Sequence, residues 1–195
     1  MYFCLGSSLF GNAFFVNKMS IYREASVYCF VLLSGVVLSF FVPGWLMAAP
    51  TEESAQWLAA HNQYRKLHGV PSVVWSEKVA ASALVHAKTC PSGHSGSRYG
   101  ENLAWASYDM GIGPAVKMWY DEEALYDYED PGYIPGVGHF TQVVWKATQE
   151  IGCAHISGCR SGKSLRANIW VCHYFPPGNF QHRFQKNVLS PLVER

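Results

Sequence analysis

The sequence predicts a small, largely antiparallel sheet covered by helices on both faces and held by disulfides. Three observations carry that expectation. Apolar residues recur at helical spacing through the middle of the chain, and short apolar, β-branched runs between Gly and Pro turns follow them. That order, helices first and strands after, suits helices layered on a sheet. Four of the six cysteines lie beyond Ala49, an even number that argues for two disulfides, with three connectivities open.

The 195 residues suffice for one domain with a hydrophobic core. Residues 1–49 are set apart from it. Ser26 to Ala49 carries no charge, Lys18 and Arg23 precede it, and Ala48-Ala49 end it. This reads as a secretory signal, with an extension before Met19, or as an uncleaved signal anchor, because the run is long enough to span a bilayer. Residues 50–195 form the exported domain, expected outside the cell or tethered to the membrane by that segment. The domain holds 13 Lys/Arg against 13 Asp/Glu and has no basic patch interleaved with aromatics, which excludes nucleic acid as a partner.

Thr51 to Leu67 carries Ala55, Leu58, Ala59 and Asn62 at helical spacing and is stopped by Gly69-Val70-Pro71. Ser72 or Ser76 opens the next helix, around Val79 to Val85, which ends before Cys90-Pro91. Ser92 to Tyr99 is a loop. Pro114 suits a first helical turn, and Ala115, Met118, Trp119, Glu122, Leu125 and Tyr126 then form one stripe, which places Glu122 on an apolar face. Asp130-Pro131-Gly132 and Pro135-Gly136 are turns. Phe140 to Trp145, short, β-branched and aromatic, is expected as a buried strand. Ile151 to Ile156 and Ala167 to Phe175 read as a hairpin around Gly158 to Lys163, ended by Pro176-Pro177-Gly178.

The chemistry concentrates in His94, Glu101, Glu122 and His139, each set in its own glycine-rich or aromatic segment. Two buried carboxylates need neutralising. Two imidazoles beside them achieve this by becoming charged or by sharing a divalent cation. The plain alternative is a buried hydrogen-bonded network. His61, His68, His86, His155, His173 and His182 have no comparable setting, and surface or strand-face positions are expected for them. His-Glu-x-x-His is absent, Gly93-His94-Ser95-Gly96-Ser97 lacks the last glycine of a nucleophile elbow, and no phosphate-binding loop occurs.

Gly138-His139-Phe140-Thr141-Gln142-Val143-Val144-Trp145 with Ile151-Gly152-Cys153 resembles the first signature of the CAP superfamily, which holds the cysteine-rich secretory proteins, antigen 5 and plant pathogenesis-related group one proteins. Val171-Cys172-His173-Tyr174-Phe175-Pro176-Pro177-Gly178-Asn179 resembles the second. Gly100-Glu101-Asn102-Leu103-Ala104 and His61-Asn62 with Arg65 are similar too, so the likeness runs from about Ala55 to Pro191. Gly100 to Asp109 and Asn187-Val188-Leu189 resemble the Golgi-associated plant pathogenesis-related branch, although that branch lacks the paired cysteines.

The resemblance implies an α-β-α sandwich with disulfides Cys153–Cys172 and Cys90–Cys159. It also implies a groove in which His94, His139, Glu101 and Glu122 hold a divalent cation, zinc first among candidates. Tyr126, Tyr128 and Tyr133 fit the aromatic spacing of a sterol-binding loop. The function it favours is a secreted binding module for a lipid, a sterol or a cell-surface partner, and not an enzyme. The rival is a metal-dependent hydrolase or protease with Glu101 or Glu122 as catalytic base.

Overall fold

A computed structural model of the chain describes residues 29–33, 36–40, 51–161 and 165–192. The chain divides into two units, Met1–Ala49 and Pro50–Arg195. In the first, β1 (Cys29–Leu33) pairs antiparallel with β2 (Val36–Phe40). The rest of the segment read as a signal or anchor lies outside the described residues. No helix among those described is long and apolar enough to cross a membrane.

In the second unit, α1 (Glu52–Leu67) starts where Thr51 Oγ1 accepts the Ser54 N–H at 3.1 Å. Glu52 and Glu53 at its start and Arg65 and Lys66 at its end suit the helix dipole. Gly69, at φ +62°, lets the chain turn away. β3 (Val74–Trp75) follows, then α2 (Glu77–Lys88) and β4 (Gly100–Ala106). Next come α3 (Ile112–Tyr120), a 3₁₀ turn (Asp121–Leu125) and α4 (Gly138–Val143). The long strands β5 (Glu150–Ser161) and β6 (Leu165–Phe175) and the short α5 (Phe184–Asn187) complete the unit.

The sheet order is β3-β5-β6-β4. Its two long pairings are antiparallel, while the short β3 runs parallel to β5, so the sheet is mixed. Alternation along the strands builds one apolar layer on each face. Ala104, Trp170, Cys172 and Tyr174 pack with Trp57, Trp119, Phe140 and Trp145 from the α1, α3 and α4 side. Leu103, Ile169 and Val171 pack on the other face with Ala83 and Ala87 of α2. This is the α-β-α sandwich. The alanines of α2 matter because a Cβ on Gly152 would overlap the Ala80 backbone; strand and helix touch there.

Both disulfides form. Cys153–Cys172 joins directly opposed residues of β5 and β6. Cys90–Cys159 ties the end of α2 to β5. A bulge makes the second bond reachable: Ile156 opposes Ile169 while Cys159 opposes Ala167, so β5 carries one extra residue, which re-aims Cys159 toward α2.

Two expectations need correction. Phe140–Trp145 is not a strand, since Gly138–Val143 is helical. Its β-branched composition favours a strand locally, but tertiary partners decide otherwise. Glu122 Oε2 accepts the N–H groups of His139 (2.8 Å) and Phe140 (3.2 Å), capping the first turn from sixteen residues upstream. At the other end, Arg65 Nη1 donates to the carbonyls of Val143 and Trp145, each at 2.9 Å. The hairpin strands also run further toward their loop than the expected Ile156 and Ala167 limits. Neither β3 nor β4 is legible from local pattern: β3 is two residues long, and β4 is alanine-rich and not β-branched.

Candidate functional site

The four residues form two histidine–glutamate pairs. In the first, Glu101 of β4 is 6% exposed in its side chain and is held from three directions. Oε1 accepts from His94 Nδ1 at 2.7 Å and from the Ser95 amide at 3.0 Å, and Oε2 accepts from His173 Nε2 at 2.7 Å. Burial alone would raise the pKa of this carboxyl; the donors from His173, Ser95 and His94 outweigh it and hold the value at about 2. His94 itself is 64% exposed, on a loop whose stem is fixed by the Cys90–Cys159 bond.

In the second pair, Glu122 Oε1 accepts from His139 Nδ1 at 2.6 Å while Oε2 caps α4. Glu122 faces this histidine because it lies on the stripe that continues α3; Glu123 instead accepts the Tyr128 hydroxyl. Strand β4 contacts both pairs, Glu101 directly and His139 through its backbone. Asn102, next to Glu101, donates to the His139 carbonyl at 3.0 Å and to the Tyr174 hydroxyl at 3.1 Å.

The tautomers follow. A carboxylate only accepts, so each Nδ1 carries the proton, and in the neutral ring each Nε2 keeps its lone pair. Among the described residues, no three of these four side chains bring ligand atoms within 4.8 Å of one another. Both glutamates accept hydrogen bonds on both oxygens.

One cluster does meet that spacing, His61 with Cys153 and Cys172. Its sulfurs are joined in a disulfide and are not thiolate ligands. Both His61 nitrogens are also engaged, Nδ1 donating to the Trp57 carbonyl at 2.8 Å and Nε2 accepting from the Tyr174 hydroxyl at 2.9 Å. Burial lowers the His61 pKa to about 4 and keeps the ring neutral.

His61, His68 and His173 are not surface residues; all three are fully buried and bonded at both ring nitrogens. His173 is the member of this cluster that sequence reasoning passed over. It lies directly across from Glu101 on β6 and bonds Ser82 Oγ with its other nitrogen. The available signal was its place beside Cys172, but the pairing depends on β4, which local pattern does not reveal.

The three tyrosines separate. Tyr126 is 8% exposed and packs edge-on to Phe140 at 5.5 Å, and Tyr128 packs edge-on to Tyr126 at 5.0 Å. Both cover the core. Tyr133 is 59% exposed and its ring lies over Gly138, the residue before His139.

Residues 58–174 match the Cysteine-rich secretory protein family, also called CAP. The chain is 38% identical to Pathogenesis-related protein 1 of Arabidopsis thaliana (74% of this chain, 90% of that protein). It is 37% identical to Golgi-associated plant pathogenesis-related protein 1 of Homo sapiens (69% and 90%). It is 40% identical to Repressed by EFG1 protein 1 of Candida albicans, covering 74% of this chain but only 56% of that longer protein. The fold is similar to that of BmVAL-1 (TM-score 0.60, 24% identity, 78% of this chain and 88% of that one). It is similar also to NaASP2, solved with Zn2+ (TM-score 0.58, 24% identity, 75% and 90%). The chain belongs to the CAP family of cysteine-rich secretory proteins. Its two disulfides fit an extracellular setting.

Proposed function

We propose that this is a secreted binding protein whose groove holds a divalent cation, zinc first, on the Nε2 atoms of His94 and His139, with a lipid or sterol bound beside Tyr133. One observation carries the reading: each glutamate occupies the Nδ1 of its own histidine and leaves Nε2 available. This is how carboxylates orient metal-binding imidazoles and raise their basicity. Glu101 and Glu122 are then positioning residues. The imidazoles fit a cation of zinc type, and NaASP2 was solved with that ion. Such a cation would supply Lewis acidity toward an anionic headgroup, with coordination positions left for it.

Zinc analysis of protein purified without chelator should find about one equivalent, lost in the His94→Ala/His139→Ala double variant. Metal-free wild-type protein after zinc loading and dialysis would overturn the cation site. For the sterol, Tyr133→Asp should abolish labelled-cholesterol binding without changing the melting temperature; retained binding would remove Tyr133 from the ligand site. The hydrolase reading has less support because Glu101, one of its two candidate bases, is buried, accepts donors on both oxygens and is strongly acidic. Association of an uncleaved N-terminal segment with the membrane remains compatible with this function.

A further inference from the structure

The edge of the sheet opposite β4 is paired only at its start. There β5 meets β3 over two residues, Val74 opposite Glu150 and Trp75 opposite Ile151. The last bond of that ladder runs from the Ser76 N–H to the Ile151 carbonyl at 2.9 Å. The next would join the Cys153 N–H to the Ser76 carbonyl, but that oxygen accepts from the Ala80 N–H at 2.9 Å as α2 begins. The chain therefore leaves the sheet at Ser76 while β5 continues to Ser161.

The register fixes which groups are left over. In an antiparallel strand, alternate residues turn N–H and C=O to the same side. Ile151 turns its carbonyl toward β3, so Cys153 and His155, which follow it before the bulge, also turn theirs away from β6. The Cα atoms of Cys153 and Cys172 lie 4.1 Å apart, the close spacing of an opposed pair that exchanges no hydrogen bonds. Among the described residues, no hydrogen bond reaches the outward N–H and carbonyl of Cys153 or His155, although Cys153 is only 6% exposed. Buried backbone groups of this kind require a partner.

A cavity of about 310 Å³ lies along these two residues, with one wall on each face of the sheet. On the face of Ala154, Ala80, Ala81 and Leu84 of α2 make an apolar wall. On the face of Cys153, the start of α1 makes the other, with Glu53 on it. Glu53 and Glu77 are the carboxylates of the lining, no Lys or Arg accompanies them, and neither is in an ion pair among the described residues. We propose that this slot takes an extended segment of a partner protein as an added strand, with basic residues alternating with apolar ones. Its main chain bonds β5 at Cys153 and His155, its apolar side chains turn to Ala81 and Leu84, and its Lys or Arg side chains turn to Glu53. A second copy of this chain is disfavoured, because joining two such edges brings like carboxylates together. The slot is separate from the histidine–glutamate groove, since Glu101 lies on β4 at the other edge of the sheet.

The test uses the full chain and a fluorescein-labelled, end-capped peptide of alternating lysine and valine, followed by fluorescence anisotropy. Wild type should bind it saturably. A glutamate–valine peptide, and the lysine–valine peptide N-methylated along its main chain, should each bind at least tenfold more weakly. Ala81→Trp, an exposed helix position that fills the slot, should abolish binding with thermal unfolding unchanged. Glu53→Gln/Glu77→Gln should weaken binding about tenfold and reduce its salt dependence. Amide exchange should find Cys153 and His155 unprotected in the free protein and slowed at least tenfold by the peptide. No saturable binding in wild type, equal binding of the N-methylated peptide, or binding that survives Ala81→Trp would overturn the added strand. Unchanged binding by Glu53→Gln/Glu77→Gln would overturn the basic character assigned to the partner. Protection of both amides in the free protein, whether in a monomer or in a dimer detected by light scattering, would show the edge already covered and overturn the proposal.

Discussion

Replacing Glu101 with Gln tests the core of the site argument. The carboxylate serves three donors on two oxygens, and its pKa is held at about 2 against an ordinary 4.5. A folded-state pKa below the unfolded value contributes stability that is fully present above about pH 4.5 and is lost as the pH falls toward 2. At roughly 1.4 kcal/mol per tenfold change in proton affinity, the contribution is about 3 kcal/mol at neutral pH. Gln keeps the shape but has one acceptor oxygen, which His94 and Ser95 claim. Its amide NH2 then faces His173 Nε2, and His173 is satisfied only by moving its proton to Nδ1, with Ser82 Oγ accepting. That relief limits the loss, so E101Q should be destabilised by about 2–3 kcal/mol. Urea unfolding with disulfides intact, at pH 7 and stepwise to pH 2.5, measures this as a shift in midpoint at constant slope. The gap between wild type and variant should be widest at pH 7 and close below pH 4.5. A gap under about 0.5 kcal/mol at pH 7, or one that does not change with pH, refutes the reasoning.

Three further outcomes follow from the geometry. Arg65 is buried and donates to four carbonyls, those of Pro71, Val143, Trp145 and Thr148; Arg65→Met should cost about 3–5 kcal/mol, and Arg65→Lys should not rescue it in thermal unfolding, because an ammonium lacks the guanidinium fork. Cys90→Ser/Cys159→Ser opens a loop with a separation of 69 residues and should cost about 4 kcal/mol by the chain-entropy relation, with faster amide exchange across residues 91–99 than in wild type. Tyr126→Asp should lower the melting temperature by several degrees while Tyr133→Asp leaves it within a degree, because the first ring is buried in the core and the second is exposed.

Much of the site was legible residue by residue. Glu122 was readable because a carboxylate three residues beyond Trp119 and seven beyond Ala115 faces inward with them, and it does face His139, although Met118 and Leu125, expected on the same stripe, are 44% and 59% exposed. His94 was readable as a loop residue held by its surroundings, and Glu101 is what holds it. The division of labour was not legible. Nothing in the spacing says that each glutamate takes the Nδ1 of one histidine, or that His173 shares Glu101 from the opposite strand.

By itself, the sequence determined the features that depend on local periodicity and composition: α1, α2, the inward Ala115 and Trp119 of α3, the β5–β6 hairpin, an even set of cysteines and a charge balance of zero beyond Ala49. Only the tertiary structure decided that Gly138–Val143 is a helix, because its capping carboxylate comes from Glu122 and the cation on its last carbonyls from Arg65. It also decided the strand identity of Gly100–Ala106 and the bulge that lets Cys159 reach Cys90. The physical reason is common to all three. Local propensity amounts to tenths of a kcal/mol per residue, whereas a buried backbone group left without its partner costs about 1–3 kcal/mol, and those partners come from distant parts of the chain.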